Sequence, residues 1–369
     1  MNQFVTTRLA LRKFAMLLRN RLTAAMSFTM AEPLERGGRG VGETVRCRLP
    51  INPTVTTLAK GGTLTYQSVQ EEHVDLSLEF HENVPMEVSS WDMARNLEDL
   101  TTQVLLPAAT NLAQAVDAKI MAKLNGIPNF VGTAGTPPGT LANWTAVRKA
   151  LNLQKVPMDG RFGILSPGAD DAALKLSTFS DADKRGSGAA LASGEIGRVL
   201  GIDWKMSQNV ATQGDGSHST GWLVNEGTAS KRAAGVTSIA VDTGTNNPEV
   251  GDVFTIAGDS VQHVVEGYAS NVLTFSPGLG SAVADNAAIT FVAQHEINFA
   301  GHPLCLGLTF ADLKPLGGGV ESESFQDPSG IVIRYSRGAS MTEMSDLLNL
   351  DILFGARVIR PELGLRILG

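Results

Sequence analysis

The chain has 369 residues, 43% of them apolar and only 18% charged, with 39 glycines and a formal net charge of −7. That apolar content supports a sizeable core and excludes a wholly disordered chain, while the acidic balance excludes a general nucleic-acid-coating protein. Low charge and abundant glycine leave broad neutral surface, which suits extensive subunit contacts.

The charge is unevenly placed. The first 22 residues hold Arg8, Arg12, Lys13, Arg19 and Arg21 and no acidic residue, giving +5 and leaving −12 for the rest. Periodicity over residues 3–30 predicts an amphipathic helix, with Phe4, Leu11, Leu18 and Leu22 on one face and Arg8, Arg12 and Arg19 as an adjacent stripe. An Arg-rich, acid-poor start also resembles a transit peptide, but the apolar run Phe14–Leu18 is too short for a secretory signal. The glycine cluster at Arg36–Gly42 breaks the helix. Residues 1–42 therefore read either as a solvated helical end or as a hinged arm that binds a neighbour through Arg8, Arg12 and Arg19.

Residues 43–83 read as extended. In "EHVDLSLEF", His73, Asp75, Ser77 and Glu79 alternate with Val74, Leu76, Leu78 and Phe80, the pattern of a half-buried strand. Upstream, Gly61-Gly62 separates two Thr-rich runs and predicts a hairpin turn, with Lys60 beside its tip. So little apolar content cannot hold a hairpin alone in water, so it must lie on another surface. Lys60, Gly61 and Gly62 are the candidate contact residues. Lys60 reads as a plain solvated or ion-pairing lysine, with covalent crosslinking to a neighbour as the alternative.

A helix is predicted within 92–126. Leu105, Ala109, Leu112, Val116 and Ile120 share one face, and Asn125-Gly126 ends it. Pro107 interrupts the pattern. It either opens the helix, where its missing donor costs nothing, or marks a bend. Within 141–210, "LANWTAVRKALN" reads as a helix and "RFGILSP" as a strand entering a turn, with Ser166 as the cap of a following helix opened by Pro167. Asp181–Glu195 reads as a loop. Residues 211–297 carry six short β-prone runs between turn clusters, from "GWLV" to "AAITFV", which predicts an inserted antiparallel barrel or sandwich. The remainder reads as mixed structure, with strands in "GIVIRYSRG" and "LDILFGARVIRPELGLRIL". Pro361 suggests an edge or a strand start.

The search for chemistry gives no catalytic, cofactor-binding or metal-binding residue. No GxxxxGK[ST] or GxGxxG run occurs. His295-Glu296 begins like a zinc-protease motif, but the position four residues after His295 is Phe299. The histidines are scattered, and the two cysteines, Cys47 and Cys305, read as free thiols. No apolar run approaches the ~20 residues that span a bilayer.

Several runs, in order along almost the whole chain, resemble tailed-phage coat proteins of the Hong Kong phage capsid fold, podovirus-type branch. They are Val84–Leu124 with its "L-x-PAA-x-x-LA-x-x-VD" core, "RFGILSP", Gly194–Val210, Val250–Gly258 and Gly355–Leu368 with "RPEL". Residues 1–31 match nothing in that family. The resemblance implies an α+β major capsid protein, not an enzyme and without cofactors. It implies an N-terminal arm (1–42), an extended β-hairpin (43–83), a peripheral domain with a spine helix (84–140), an axial domain (141–210 and 298–345), an inserted small antiparallel β-barrel (211–297) and a C-terminal strand of the peripheral domain (346–369). It further implies self-assembly into hexamers and pentamers around double-stranded DNA, with a scaffolding protein and a portal protein as partners and no membrane. The chain would assemble in the host cytoplasm and reside in the virion capsid. The competing expectations are a β-rich decoration protein that binds a shell it does not build, and a hydrolase with a dispersed triad.

Overall fold

A computed structural model describes residues 14–19, 21–30, 44–48, 57–58, 60, 63, 66, 73–89, 106–181, 194–213, 221–314, 317, 320–340, 342 and 344–369. Three larger sheets and one two-stranded ladder organise these residues.

The first sheet is built on β20 (Ser345–Val358), the longest strand. β4 (Phe80–Ser89) runs antiparallel along one edge of it, from Ser89↔Ser345 to Phe80↔Phe354. The other edge is shared end to end by β19 (Val332–Ser340) and β17 (Leu306–Ala311). β18 (Glu321–Gln326) and β1 (Thr29–Met30) complete the sheet. On β20, Leu348, Leu350, Ile352 and Phe354 are buried. They share an apolar cluster with the stripe Ala109, Leu112, Val116 and Ile120 of helix α1 (Leu106–Ala122). The predicted helix face is thus the buried one. Asn125-Gly126 lies in the 3₁₀ turn that closes the helix at Lys123–Gly126.

The second sheet is mixed. Its order is β5 (Phe130–Val131), β21 (Gly364–Leu368), β16 (His295–Gly301), β6 (Phe162–Leu165), β8 (Ile202–Met206) and β7 (Gly197–Val199), and β9 (Thr212–Gln213) also pairs with β16. Helix α2 (Leu141–Leu153) packs beside β21 and β5, with Trp144, Val147 and Leu151 buried. Ser166 caps α3 (Pro167–Leu174): its Oγ accepts from Ala169 N at 3.2 Å, and Pro167 occupies the first turn.

The third sheet is antiparallel: β10 (Leu223–Val224), β11 (Ser238–Asp242), β14 (Val272–Ser276), β13 (His263–Ala269), β12 (Val253–Ile256) and β15 (Ile289–Phe291). Each of the six β-prone runs supplies one strand. The first strand also meets the chain just before the last, since Val224 N donates to Ala287 O and Ile289 N to Trp222 O. The sheet therefore closes on itself, around a core of its own that includes Trp222, Phe254, Val265 and Phe275.

Four expectations change. The helix expected over residues 3–30 does not run to its end: residues 14–19 are helical, but 22–28 turn and Thr29–Met30 pair in parallel with Gly307 and Leu308. The cause is Asp117 on α1, which captures the amides of residues 23–25. The described part of the segment is also neither a solvated end nor a free arm. Phe14, Leu18 and Phe28 are buried in the main core, and Phe28 packs on Phe162 and Phe299. Residues 346–369, expected as one unit, are divided between two sheets, because Pro361 opens a 3₁₀ turn (Pro361–Leu363) between β20 and β21. Residues 298–345 are divided likewise, β16 lying in one sheet and β17 to β19 in another.

Candidate functional site

The predicted hairpin is anchored by an antiparallel ladder. β2 (Thr44–Arg48) pairs with β3 (His73–Ser77) from Thr44↔Ser77 to Arg48↔His73. The described pairing ends at Arg48 and His73, and the predicted turn at Gly61-Gly62 lies outside the described residues. The alternating pattern of 73–80 does not make one strand. The chain bends at Leu78–Glu79 and changes partner from β2 to β20. Gly355 of β20 lies under this bend, where a Cβ would stand 2.0 Å from Ser77 O.

The root is pinned by one apolar anchor and several polar ones. Leu76 is fully buried, beside Gly307 and Ile359. Arg46 Nε lies 3.0 Å from Asp75 Oδ1, and Arg357 Nη1 donates to Asp75 O at 2.9 Å. Lys123 Nζ donates to Glu79 Oε2 at 2.5 Å and sits 5.1 Å from the Phe80 ring centre. Hydrogen bonds from Arg46 and Lys123 hold the carboxyls of Asp75 and Glu79 below their ordinary range. Of the described residues away from the root, Leu58 is 52% and Tyr66 89% exposed, and Lys60 is exposed. The ladder thus has a fixed base and presents apolar side chains that its own chain does not cover.

The face of the first sheet opposite α1 carries a polar network and a groove. Arg334 grips the buried Asp351 with both Nε and Nη2 and gives Nη1 to Lys314 O at 2.9 Å, while His81 Nε2 lies 3.0 Å from Asp351 Oδ2. Further along, Ser336 and Gly338 lower the surface between Pro85, Glu87, Leu347 and Asn349, leaving an apolar groove of about 420 Å³.

The other predicted site residues fall separately. Arg8, Arg12, Gly61 and Gly62 lie outside the described residues. Arg19 is half-exposed and reaches Asp327 of its own chain at 3.8 Å. Pro107 is the second residue of α1. Whether it opens or bends a longer helix depends on residues 90–105, which are also outside. One residue given no role from sequence is prominent: Asp117, 1% exposed, accepts the amides of Thr23 at 2.7 Å, Ala24 at 3.2 Å and Ala25 at 3.1 Å. Burial pushes its carboxyl up, against those three bonds. An acidic residue at an apolar helical position was the available signal.

Among the described residues no three His, Cys, Asp or Glu side chains gather as metal ligands, and no helix is long and apolar enough to cross a membrane. His263 and His295 are buried histidines whose Nδ1 groups donate to the carbonyls of Pro277 and Ala293, each at 2.8 Å. Cys47 and Cys305 are free, and burial raises both thiols. No protein-family model and no curated protein matches the chain. Solved structures do. A chain from Mycobacterium phage Che8 matches at 16% identity, over 94% of this chain and 90% of that one, with a TM-score of 0.53. A chain from the capsid structure of the cyanophage P-SCSP1u matches at 14% identity, over 89% and 84%, with a TM-score of 0.50.

The chain has a phage capsid fold. At these identities the likeness is one of architecture, and it spans most of the chain, including the main core. Among the described residues, β2 and β3 form a ladder apart from the three larger sheets.

Proposed function

We propose that the chain is a major capsid protein that self-assembles into the hexamers and pentamers of an icosahedral shell around double-stranded DNA. The capsid fold supports this reading. The single observation that carries it within the chain is the anchored ladder, whose base is locked by Leu76, Asp75 and Glu79 while Leu58 and Tyr66 remain uncovered. A rigid base with an exposed apolar end suits a contact completed by a second copy, repeated by symmetry around a ring. A shell needs many such contacts and no catalysis, so the reading is structural rather than enzymatic.

The finer parts of the proposal rest on the sequence runs at Val84–Leu124 and Gly194–Val210. They are the podovirus-type branch, a scaffold-directed procapsid that matures by expansion, the scaffolding and portal partners, assembly in the host cytoplasm and residence in the virion. The hairpin at 43–83, the peripheral and axial parts through residue 210 and the inserted domain at 211–297 belong to the same proposal, with residues 298–369 shared between the two larger sheets as described above; so do partner contacts through Arg8, Arg12, Arg19, Lys60, Gly61 and Gly62.

Sedimentation of the purified chain beside the double variant Leu58→Asp, Tyr66→Asp tests the reading. Wild type is expected to form large assemblies, and the variant to stay folded and small. A variant that assembles like wild type would remove the hairpin from the proposal.

A further inference from the structure

The closed β-barrel is joined to the rest of the chain through a buried polar cluster. Asp252, 3% exposed, lies in the turn before β12. Its Oδ1 accepts Gln213 Nε2 from β9 at 2.9 Å, and its Oδ2 accepts Glu249 N at 2.8 Å. Arg366 of β21 is fully buried and directs Nη1 to Gly251 O at 3.5 Å. Next to them, His295 opens β16, opposite Gln213 in the pairing, and is 3% exposed. Gly251 takes φ +98°, and a Cβ there would strike Asn125 at 2.7 Å, so the same turn also abuts the end of α1's closing 3₁₀ turn. A second tie crosses nearby, from Phe130 N to Gln262 Oε1 at 3.2 Å. Four elements of the body and one turn of the barrel thus meet at a site where Arg366 Nε and Nη2, Asn125 Oδ1 and His295 Nε2 are buried without a hydrogen-bond partner.

The histidine in this cluster tolerates only its neutral form. Its Nδ1 is matched to Ala293 O at 2.8 Å, while its Nε2 is buried and has no hydrogen-bond partner. The charged groups facing it are Arg366, a cation, and Asp252, an anion already engaged by Gln213 and Glu249. A proton on Nε2 would place a second buried cation beside the guanidinium and a donor with nothing to receive it, and both are costly away from water.

We propose that Arg366, Asp252, Gln213 and His295 form an acid-released latch that holds the β-barrel on the body of the chain. With the latch closed, the barrel is a fixed part of the subunit; with His295 protonated, the joint opens while the barrel core stays folded. Burial first, and then Arg366, lowers the histidine's pKa from its ordinary 6.5. In the open joint the ring regains water and takes up its proton more readily. The open form then binds more protons than the closed one, so closure weakens as pH falls below about 6.5. One proton changes the opening equilibrium by up to about tenfold per pH unit. Arg366, whose burial brings it down to about 9, stays charged throughout this range. The latch does not depend on the proposed assembly.

Hydrogen exchange of the full chain between pH 7.5 and 5.0, corrected for intrinsic rates, tests it. The reporters are the amides of Phe130 and Glu249 at the joint, with Val265 and Phe275 inside the barrel as reference. Joint amides are expected to lose protection below pH 6.5 by up to about 30-fold at pH 5.0, while the reference amides hold. His295→Gln should flatten that slope, and Asp252→Asn should expose the joint amides already at pH 7.5. The proposal fails if the joint stays protected to pH 5.0, if His295→Gln keeps the wild-type slope, or if joint and barrel amides are lost together. Should either variant not fold, the wild-type series decides by itself.

Discussion

Asp117→Ala removes the acceptor that three amides share, and the structure sets the size of the effect. Ala24 and Ala25 are fully buried, so their N–H groups would be left without a partner, at about 1–3 kcal/mol each; Thr23 is half-buried and can turn to water. The gross cost is about 2–6 kcal/mol. Removing the carboxylate also relieves its own burial, which already pushes its pKa up, and this offsets part of the cost. The net expectation is a loss of about 3 kcal/mol, with residues 14–30 detaching first. Asp117→Asn keeps one oxygen and should lose roughly half as much. Urea unfolding followed by tryptophan fluorescence reads the change, since Trp144 and Trp204 lie in the same core as Phe14 and Phe28. Exchange at Thr23–Ala25 locates it. An unchanged midpoint for Asp117→Ala, with those amides still protected, would refute the capping role.

Other substitutions test other joints of the fold. Gly355→Ala places a methyl against Ser77 O and should cost about 3 kcal/mol, the upper end of ordinary overpacking, with exchange rising first at residues 73–79. Arg334→Leu leaves Asp351 buried with His81 as its remaining side-chain partner and should destabilise by about 3–5 kcal/mol in chemical unfolding; Arg334→Lys, which cannot form the fork, should recover only part. Residues 221–292 expressed alone should unfold cooperatively, because Trp222, Phe254, Val265 and Phe275 form a core separate from the main one; a non-cooperative melt by circular dichroism would contradict this.

Much of the architecture was legible because it follows from period and punctuation. The stripe Ala109, Leu112, Val116 and Ile120 marks α1, Ser166-Pro167 marks the start of α3, and six β-prone runs mark the barrel strands. What escaped depends on contacts between distant residues. Alternation from His73 to Phe80 continues unbroken through the bend at Leu78–Glu79, because the pattern records which side is buried and not which strand is the partner. Helical periodicity at the N-terminus runs past the point where Asp117, more than ninety residues away, takes over its amides. In β21, Arg366 stands among apolar residues, and both faces of that strand are covered, so alternation could not reveal that the guanidinium is buried. The hairpin was legible as a feature needing a second surface. Its root of Asp75, Glu79, Lys123 and Arg357 was not, since these charges come from three separate segments.

Electron microscopy of the purified chain tests the central claim most directly. Closed shells, tubes or rings of six and five subunits are the predicted result, with the β2–β3 hairpin of each subunit resting on the next. A stable lone monomer at high concentration, or one that only decorates shells built by another protein, would contradict it.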